Sequence, residues 1–184
     1  MIPDIHQRHA EEMAEATIHG VLMEMFGIGV IFTGESGIGK SECALDLLRR
    51  GHRLVADDAV HVSRNGDELI GEAPRLTFEL LEIRGLGIVN IRELYGISSI
   101  CRRIALGLSI ELRKFRAAEP IERLGFESLE ESLLGVSIPK FILPVTAGRN
   151  LSTLVETAVR VYLLRLEGKD PVEKLLRDHS EMLK

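Results

Sequence analysis

The chain of 184 residues has no tryptophan, two tyrosines and six phenylalanines, so aromatics make up 4% of it and its core must be aliphatic. Cysteine is nearly as scarce. Cys43 and Cys101 stand far apart without metal-ligand spacing, which reads as two reduced thiols of a cytosolic protein rather than a disulfide. No apolar run reaches the roughly 18 residues of a membrane span. The N-terminal stretch carries Asp4, Glu11, Glu12 and Glu15 among its apolar residues, unlike a signal peptide. No membrane partner is therefore expected. Basic residues are outnumbered 23 to 28, for a net charge of −5. That argues against general nucleic-acid binding, which needs a basic face, yet leaves room for a local basic site that holds phosphates.

What is present suits a folded protein. Hydrophobic residues form 45% of the chain. A chain of this size buries roughly 70% of its unfolded surface and needs no disulfide or metal to fold. One domain over residues 1–184 is expected, with no internal repeat or linker. Asp4 to Thr17 reads as a short polar helix. Gly20 to Phe26 and Ile28 to Phe32 read as two buried strands joined by a turn. Cys43, Ala44, Leu47 and Leu48 then recur at helical spacing up to Gly51, a natural stop. Strands follow, with a hairpin signalled by Arg64-Asn65-Gly66-Asp67. Leu76 to Ile83 fits a helix or a strand. Leu86 to Ile91 and Ser99 to Leu112 look partly extended, and Pro139 to Val145 reads as the last strand. Leu151 to Leu166 is a helix with Leu151, Leu154, Val155, Ala158, Val159, Tyr162 and Leu166 on one stripe, and Val172 to Leu183 reads as a second. Many strands follow one another without helices between them, so the fold class is α/β with a mixed sheet, not a strictly alternating parallel one.

Between a strand and a helix lies Gly34-Glu35-Ser36-Gly37-Ile38-Gly39-Lys40-Ser41, which fits G-x-x-x-x-G-K-S/T at every fixed position. The glycines let the backbone turn so that several N–H groups face phosphate oxygens, and the following helix adds its positive end. Lys40 can bridge the outer phosphates, and the Ser41 hydroxyl can ligate Mg²⁺, a hard ion that prefers oxygen. The motif points to a bound nucleotide without fixing the reaction.

Asp57 and Asp58 close the apolar run Leu54-Val55-Ala56, at the end of a strand. Neighbouring strand side chains face opposite ways, so one carboxylate can face the phosphates and the other a metal or Lys40. In kinases one carboxylate commonly takes the proton of the attacking hydroxyl; the alternative is a solvated acidic turn. His19, just before the first strand run, is either structural or catalytic. Glu82 and Arg84 flank Ile83 as a strand-edge alternation, or as a metal carboxylate and a phosphate-binding cation. Arg123 and Arg149 are loop arginines, most of which are merely solvated.

Taken together, HGVL, GESGIGKSE, GHRLVADDAV, LLEIRGLGIVNI, ERLG and PVTAGRN, in this order from His19 to about Asn150, resemble the catalytic domain of the HPr kinase/phosphorylases. The phosphate loop is common to many families; LEIRGLGIVNI and RLVADD are far more specific. The resemblance implies a fold like that of phosphoenolpyruvate carboxykinase, with C-terminal helices and without the family's separate N-terminal domain. It implies ATP held by Gly34 to Ser41 and Mg²⁺ held by Ser41 and Glu82. It further implies catalytic roles for His19, Lys40, Asp58 and Arg123, with Asp58 as proton acceptor in phosphorylation and donor in reverse. Asp57 and Arg84 would support the site, and Pro144 to Arg149, including Gly148, match a segment tied to dephosphorylation. The implied partner is HPr, a phosphocarrier protein modified on serine, with inorganic phosphate and pyrophosphate in the reverse reaction and a homohexameric assembly. A kinase for another acceptor on the same scaffold, or an ATP-sensing module without transfer, are the alternatives.

Overall fold

The computed structural model describes residues 14–114, 129–170 and His179. Eleven strands and two substantial helices are ordered along them. The strands are β1 (Glu15–His19), β2 (Val21–Met25), β3 (Ile28–Gly34), β4 (Arg53–Ala56), β5 (Ala59–Asn65), β6 (Glu68–Glu72), β7 (Leu80–Ile83), β8 (Gly87–Asn90), β9 (Arg103–Lys114), β10 (Leu129–Leu133) and β11 (Val136–Val145). The helices are α1 (Lys40–Arg49), a short α2 (Ile91–Tyr95) and α3 (Leu151–Leu166). No described helix is long and apolar enough to cross a membrane.

The sheet is mixed, as the run of consecutive strands predicts. Its order is β1-β5-β6-β9-β3-β2-β4, with β10 and β11 branching from β9. The twelve-residue β9 organises it. One edge of β9 pairs in parallel with β3, from Gly29↔Leu106 to Gly34↔Leu112. Its other edge pairs first with β6 in antiparallel fashion and then with β11 in parallel. Changing partner along one strand curls the sheet, so that β1, β5 and β6 fold back over the face opposite the helices.

That curl explains why β3 reads as a continuous apolar run instead of an alternating one. Val30 and Phe32 enter a core shared with α1 and α3, while Ile31 enters a second core with Val60, Val62 and Leu69 of β5 and β6. All three are fully buried. On α1, Cys43, Ala44, Leu47 and Leu48 are buried against the sheet, and each leucine contributes about 1.5–3 kcal/mol by leaving water. Both cysteines are free and buried, and burial pushes the Cys43 thiol up to about 12, which leaves it unreactive. Arg50, just past α1, donates to Asp46, to Thr153 and to Glu156, and so ties α1 to α3.

Four expectations are corrected or sharpened. Glu15–Thr17, the described end of the expected N-terminal helix, is strand: β1 pairs antiparallel with β5 from Glu15↔Ser63 to His19↔Ala59. Helix-favouring glutamate yields here to tertiary pairing, because β5 would otherwise present an open edge. Leu166 is 65% exposed and leaves the buried stripe of α3. The strand alternative holds for Leu80–Ile83, and the Asn-Gly hairpin forms with Asn65 paired to Glu68 and the positive φ carried by Gly66 alone. The second C-terminal helix lies outside the described residues apart from His179, which is helical.

β3 lies tightly against β9 at Gly29, where an added Cβ would lie 2.6 Å from the Ala105 carbonyl oxygen and 2.7 Å from Ile104 Cγ2. Gly29→Val should therefore destabilise the fold by about 1–3 kcal/mol through overpacking. Thermal unfolding followed by circular dichroism checks this; an unchanged midpoint would mean that the two strands do not meet there.

Candidate active site

The parallel pairing of β3 with β9 delivers the glycine-rich loop to the carboxyl end of the sheet, where open α/β sheets place ligands. The loop leads into α1 through Gly39, whose left-handed conformation (φ 103°) a side chain would strain. No side chain caps this helix end. Its first amides are left for a ligand, and the helix dipole favours an anion there. The Lys40 side chain, buried against the loop, donates to the carbonyls of Gly34 and Glu35 at 2.9 and 3.2 Å. Ile38 is buried beneath the loop and fixes it to the core.

Asp57 and Asp58 occupy the two-residue turn between β4 and β5, and the structure separates them sharply. Asp57 points inward: its Oδ1 accepts from the Ser41 hydroxyl at 3.1 Å and its Oδ2 from the Glu82 amide at 2.9 Å. Burial pushes its carboxyl above the usual carboxylate range, and the hydrogen bonds from the Glu82 amide and the Ser41 hydroxyl only partly oppose this. Asp58 points outward, with a left-handed backbone (φ 66°) of the kind that aspartate tolerates better than most residues. Its Oδ1 lies 3.1 Å from His19 Nδ1, with both side chains more than half exposed. The Gly20 amide donates to the Asp58 carbonyl at 3.1 Å, which locks this pair to the start of β2.

The antiparallel β7–β8 hairpin forms the opposite wall. Glu82 holds Asp57 through its amide while its side chain is exposed. Arg84 lies against the phosphate loop: a Cβ on Gly37 would sit 2.6 Å from Arg84 Nη2 and would push the guanidinium aside, and the positive φ of Gly37 (76°) itself favours glycine. His19, Lys40, Ser41, both aspartates, Glu82 and Arg84 line one cavity of about 320 Å³. Pro144, Gly148 and Arg149 are not among its lining residues. Pro144 pairs with Arg113 on the far edge of β9, and Gly148 and Arg149 occupy the exposed turn before α3. Arg123 lies outside the described residues. Gly85 and Gly87, which flank Leu86 at the hairpin tip within the stretch Leu81 to Asn90 that the family resemblance ties to both activities, also line the cavity.

Free helical amides, a lysine and an arginine on one side, and hydroxyl and carboxylate oxygens on the other, suit a polyphosphate accompanied by a divalent cation. The donor set near Ser41 is all oxygen, and Asp57 makes no ion pair with any described residue. A buried carboxylate left without a cation is the observation that makes a hard metal ion fit here.

The family model described as HPr Serine kinase C-terminal domain matches residues 11–179. The chain belongs to this family. It is 49% identical over 170 residues to the HPr kinase/phosphorylase of Nitrosomonas europaea, which covers 90% of this chain and 53% of that protein. It is 47% identical over 161 residues to that of Bordetella pertussis, covering 87% of this chain and 52% of that protein. It thus spans about half the length of the curated relatives it matches. The structure of the HPr(Ser) kinase/phosphatase from Coxiella burnetii superposes with a TM-score of 0.76 at 35% identity, over 83% of this chain and 99% of that one. The mixed, curled sheet described above is thus the fold of the HPr kinase family.

The raised pKa of Asp57 has a definite sign for stability. A carboxyl that binds its proton more tightly when folded favours folding at low pH, and that contribution is lost as pH rises through its folded value. In chelator-treated protein, Asp57→Asn should gain melting temperature relative to the parent as pH is raised from 4 to 8, as measured by scanning calorimetry. Adding Mg²⁺ at pH 8 should stabilise the parent and not the variant. A difference that shrinks with pH would contradict the account.

Proposed function

We propose that this chain transfers the γ-phosphoryl group of ATP to a serine of HPr, and that it also runs the reverse reaction with inorganic phosphate to give pyrophosphate. The observation that carries this reading is the His19–Asp58 pair, held at the mouth of a cavity whose floor is the glycine-rich loop with Lys40 and Ser41. The names of the relatives support HPr as the acceptor.

In the forward direction, the Asp58 carboxylate accepts the proton of the serine hydroxyl as its oxygen attacks the γ-phosphorus and the bond to the β-phosphate oxygen breaks. His19, 3.1 Å from Asp58 Oδ1, orients that carboxylate. Lys40 exchanges the Gly34 and Glu35 carbonyls for phosphate oxygens, and with Arg84 it neutralises charge that develops on the transferred group. Arg123, outside the described residues, belongs to the same cationic set on the strength of the family resemblance. Ser41, Asp57 and Glu82 supply the oxygens that would hold Mg²⁺, which contributes charge neutralisation of the phosphates when bound. In reverse, an oxygen of inorganic phosphate attacks the phosphoserine phosphorus and forms the new phosphorus–oxygen bond of pyrophosphate, while the serine oxygen–phosphorus bond breaks and protonated Asp58 gives its proton to the leaving serine oxygen. Pro144 to Arg149 lie off the cavity and are assigned to the reverse direction through the resemblance alone.

The same reading places the protein in the cytoplasm, where ATP is available and where buried reduced thiols such as Cys43 and Cys101 persist. It also implies a homohexamer, which light scattering of the purified protein would test.

Asp58→Asn keeps the shape and tolerates the left-handed backbone, but it cannot take the proton. Mass spectrometry of HPr after incubation with the variant, ATP and Mg²⁺ should show phosphorylation slowed by about 10²–10⁴-fold. Near-normal turnover would reject Asp58 as the base.

A further inference from the structure

α1 and α3 meet at a polar corner outside the cavity. The Ser152 hydroxyl, in the first turn of α3 and only 3% exposed, donates to the Asp46 carboxylate of α1. It also lies 2.6 Å from Asn150 Oδ1, the atom that caps α3 by accepting from the Thr153 amide at 2.9 Å. Arg50 closes the corner. Its Nε and Nη2 donate to Asp46 Oδ2 at 3.2 and 3.0 Å, and Nη2 also reaches Thr153 Oγ1 at 3.0 Å. The Ser152 hydroxyl, helped by the Arg50 guanidinium, holds the Asp46 carboxyl below its usual range although burial opposes this. An exposed ion pair alone contributes little. A buried hydroxyl on a carboxylate is a charge-assisted contact of fixed geometry, and it sets where the first turn of α3 stands against α1.

That turn begins with Leu151, next to Ser152 in sequence, and Leu151 reaches the phosphate loop. A Cβ on Gly39 would lie 3.9 Å from Leu151 Cδ2, at ordinary van der Waals contact. Gly39 is the last loop residue before α1, and its carbonyl already accepts a helical bond, from the Cys43 amide at 2.9 Å. Because no side chain caps α1, the direction of its free amides depends on the backbone at Gly39 and on what stands behind it. Leu151 stands behind it.

We propose that Asp46 and Ser152 are positioning residues of the nucleotide site: by pinning the first turn of α3 to α1 they hold Leu151 against Gly39, and so keep the phosphate-loop amides aimed at the triphosphate. Neither residue touches ATP, and neither they nor Leu151 line the cavity. They act through Leu151 and the loop backbone. This inference rests on the reading of the loop as an ATP site and adds to it the contact that pre-organises the loop. Backbone amides bind phosphates tightly only when little ordering is left to do on binding. A loop without its backing has to be ordered by the nucleotide, which lowers affinity. The same amides hold the phosphates before and during transfer, so loss of the backing weakens ground state and transition state alike. Loss of such uniform binding raises KM and leaves kcat. A corner that only stabilises the fold behaves otherwise. Its loss lowers the fraction of folded enzyme, and hence the apparent kcat, while the molecules that remain folded keep their KM.

The test compares Ser152→Ala, Asp46→Ala and Asp46→Asn with the parent, at a temperature well below every melting midpoint. Both positions lie on helices, where alanine is well tolerated, and circular dichroism checks that the variants fold. In Asp46→Asn the amide oxygen still accepts from the Ser152 hydroxyl and from Arg50, so this variant keeps the corner and serves as the conservative rescue. ATP affinity is measured by titration calorimetry with Mg²⁺, and KM for ATP and kcat by steady-state phosphorylation of HPr. Both alanine variants should raise the Kd and the KM for ATP by about fivefold or more, the usual size of coupling between two sites. Their kcat at saturating ATP and their KM for HPr should stay within about twofold of the parent. Asp46→Asn should bind ATP as the parent does. Lower melting midpoints in both alanine variants with an unchanged Kd for ATP would overturn the proposal, as would a fall in kcat at unchanged KM. ATP binding that weakens in the alanine variants, in a protein whose parent phosphorylates no HPr, would sustain the positioning role while sinking the kinase reading. A parent that binds no ATP would sink both.

Discussion

One carboxylate holds three separate pieces of this chain in register. The Asp57 side chain takes the Ser41 hydroxyl on one oxygen and the Glu82 amide on the other. It thereby joins the start of α1, the β4–β5 turn and the β7–β8 hairpin. Each of these would be a loop-borne element of loose geometry on its own. Tied at Asp57, they form the floor, the back and the far wall of a single cavity. The arrangement has a cost, because burial disfavours the anion that the hydrogen bonds require. Strain of this kind is common where a site awaits a ligand, and a cation arriving beside Ser41 would relieve it.

The sheet makes that knot possible. Because β9 pairs with β3 on one edge and with β6 and then β11 on the other, the sheet curls, and both of its faces are buried. The centre is rigid as a result: Val30, Ile31 and Phe32 are fully enclosed just before the phosphate loop begins. Rigid strands ending in short turns put His19, Lys40 and Asp58 within one small volume, although they are far apart in sequence. Lys40 is parked on its own loop carbonyls, and Asp58 with His19 stands exposed at the rim.

How much of this was legible in the sequence differs from residue to residue. The phosphate loop was, since its chemistry demands a local pattern of glycines, lysine and serine at fixed spacing, and the strand and helix around it follow from apolar periodicity. The mixed character of the sheet was also legible, from strands that follow one another without helices. The division of labour between Asp57 and Asp58 was not. Period-two alternation says that they face opposite ways, but which of them turns inward depends on Ser41 and on the Glu82 amide, contacts made across 16 and 25 residues. β1 was missed because its partner β5 lies more than forty residues on, and local propensity speaks for helix. The role of Gly37 was not legible: the motif fixes only Gly34 and Gly39, and the structure alone shows the positive φ of Gly37 and the approach of Arg84. Pro144 to Arg149 mark the limit of motif matching, because the residues are recognisable and yet do not line the cavity.

The most direct test of the account is a crystal structure with Mg²⁺ and a non-hydrolysable ATP analogue. The account predicts phosphates seated on the amides at the start of α1, Lys40 Nζ moved from the Gly34 and Glu35 carbonyls to phosphate oxygens, the metal ion on Ser41 beside Asp57, and Asp58 within hydrogen-bond reach of the space where an acceptor hydroxyl would attack. A nucleotide bound elsewhere, with Lys40 still on its own loop and Asp58 turned away from the terminal phosphate, would contradict it.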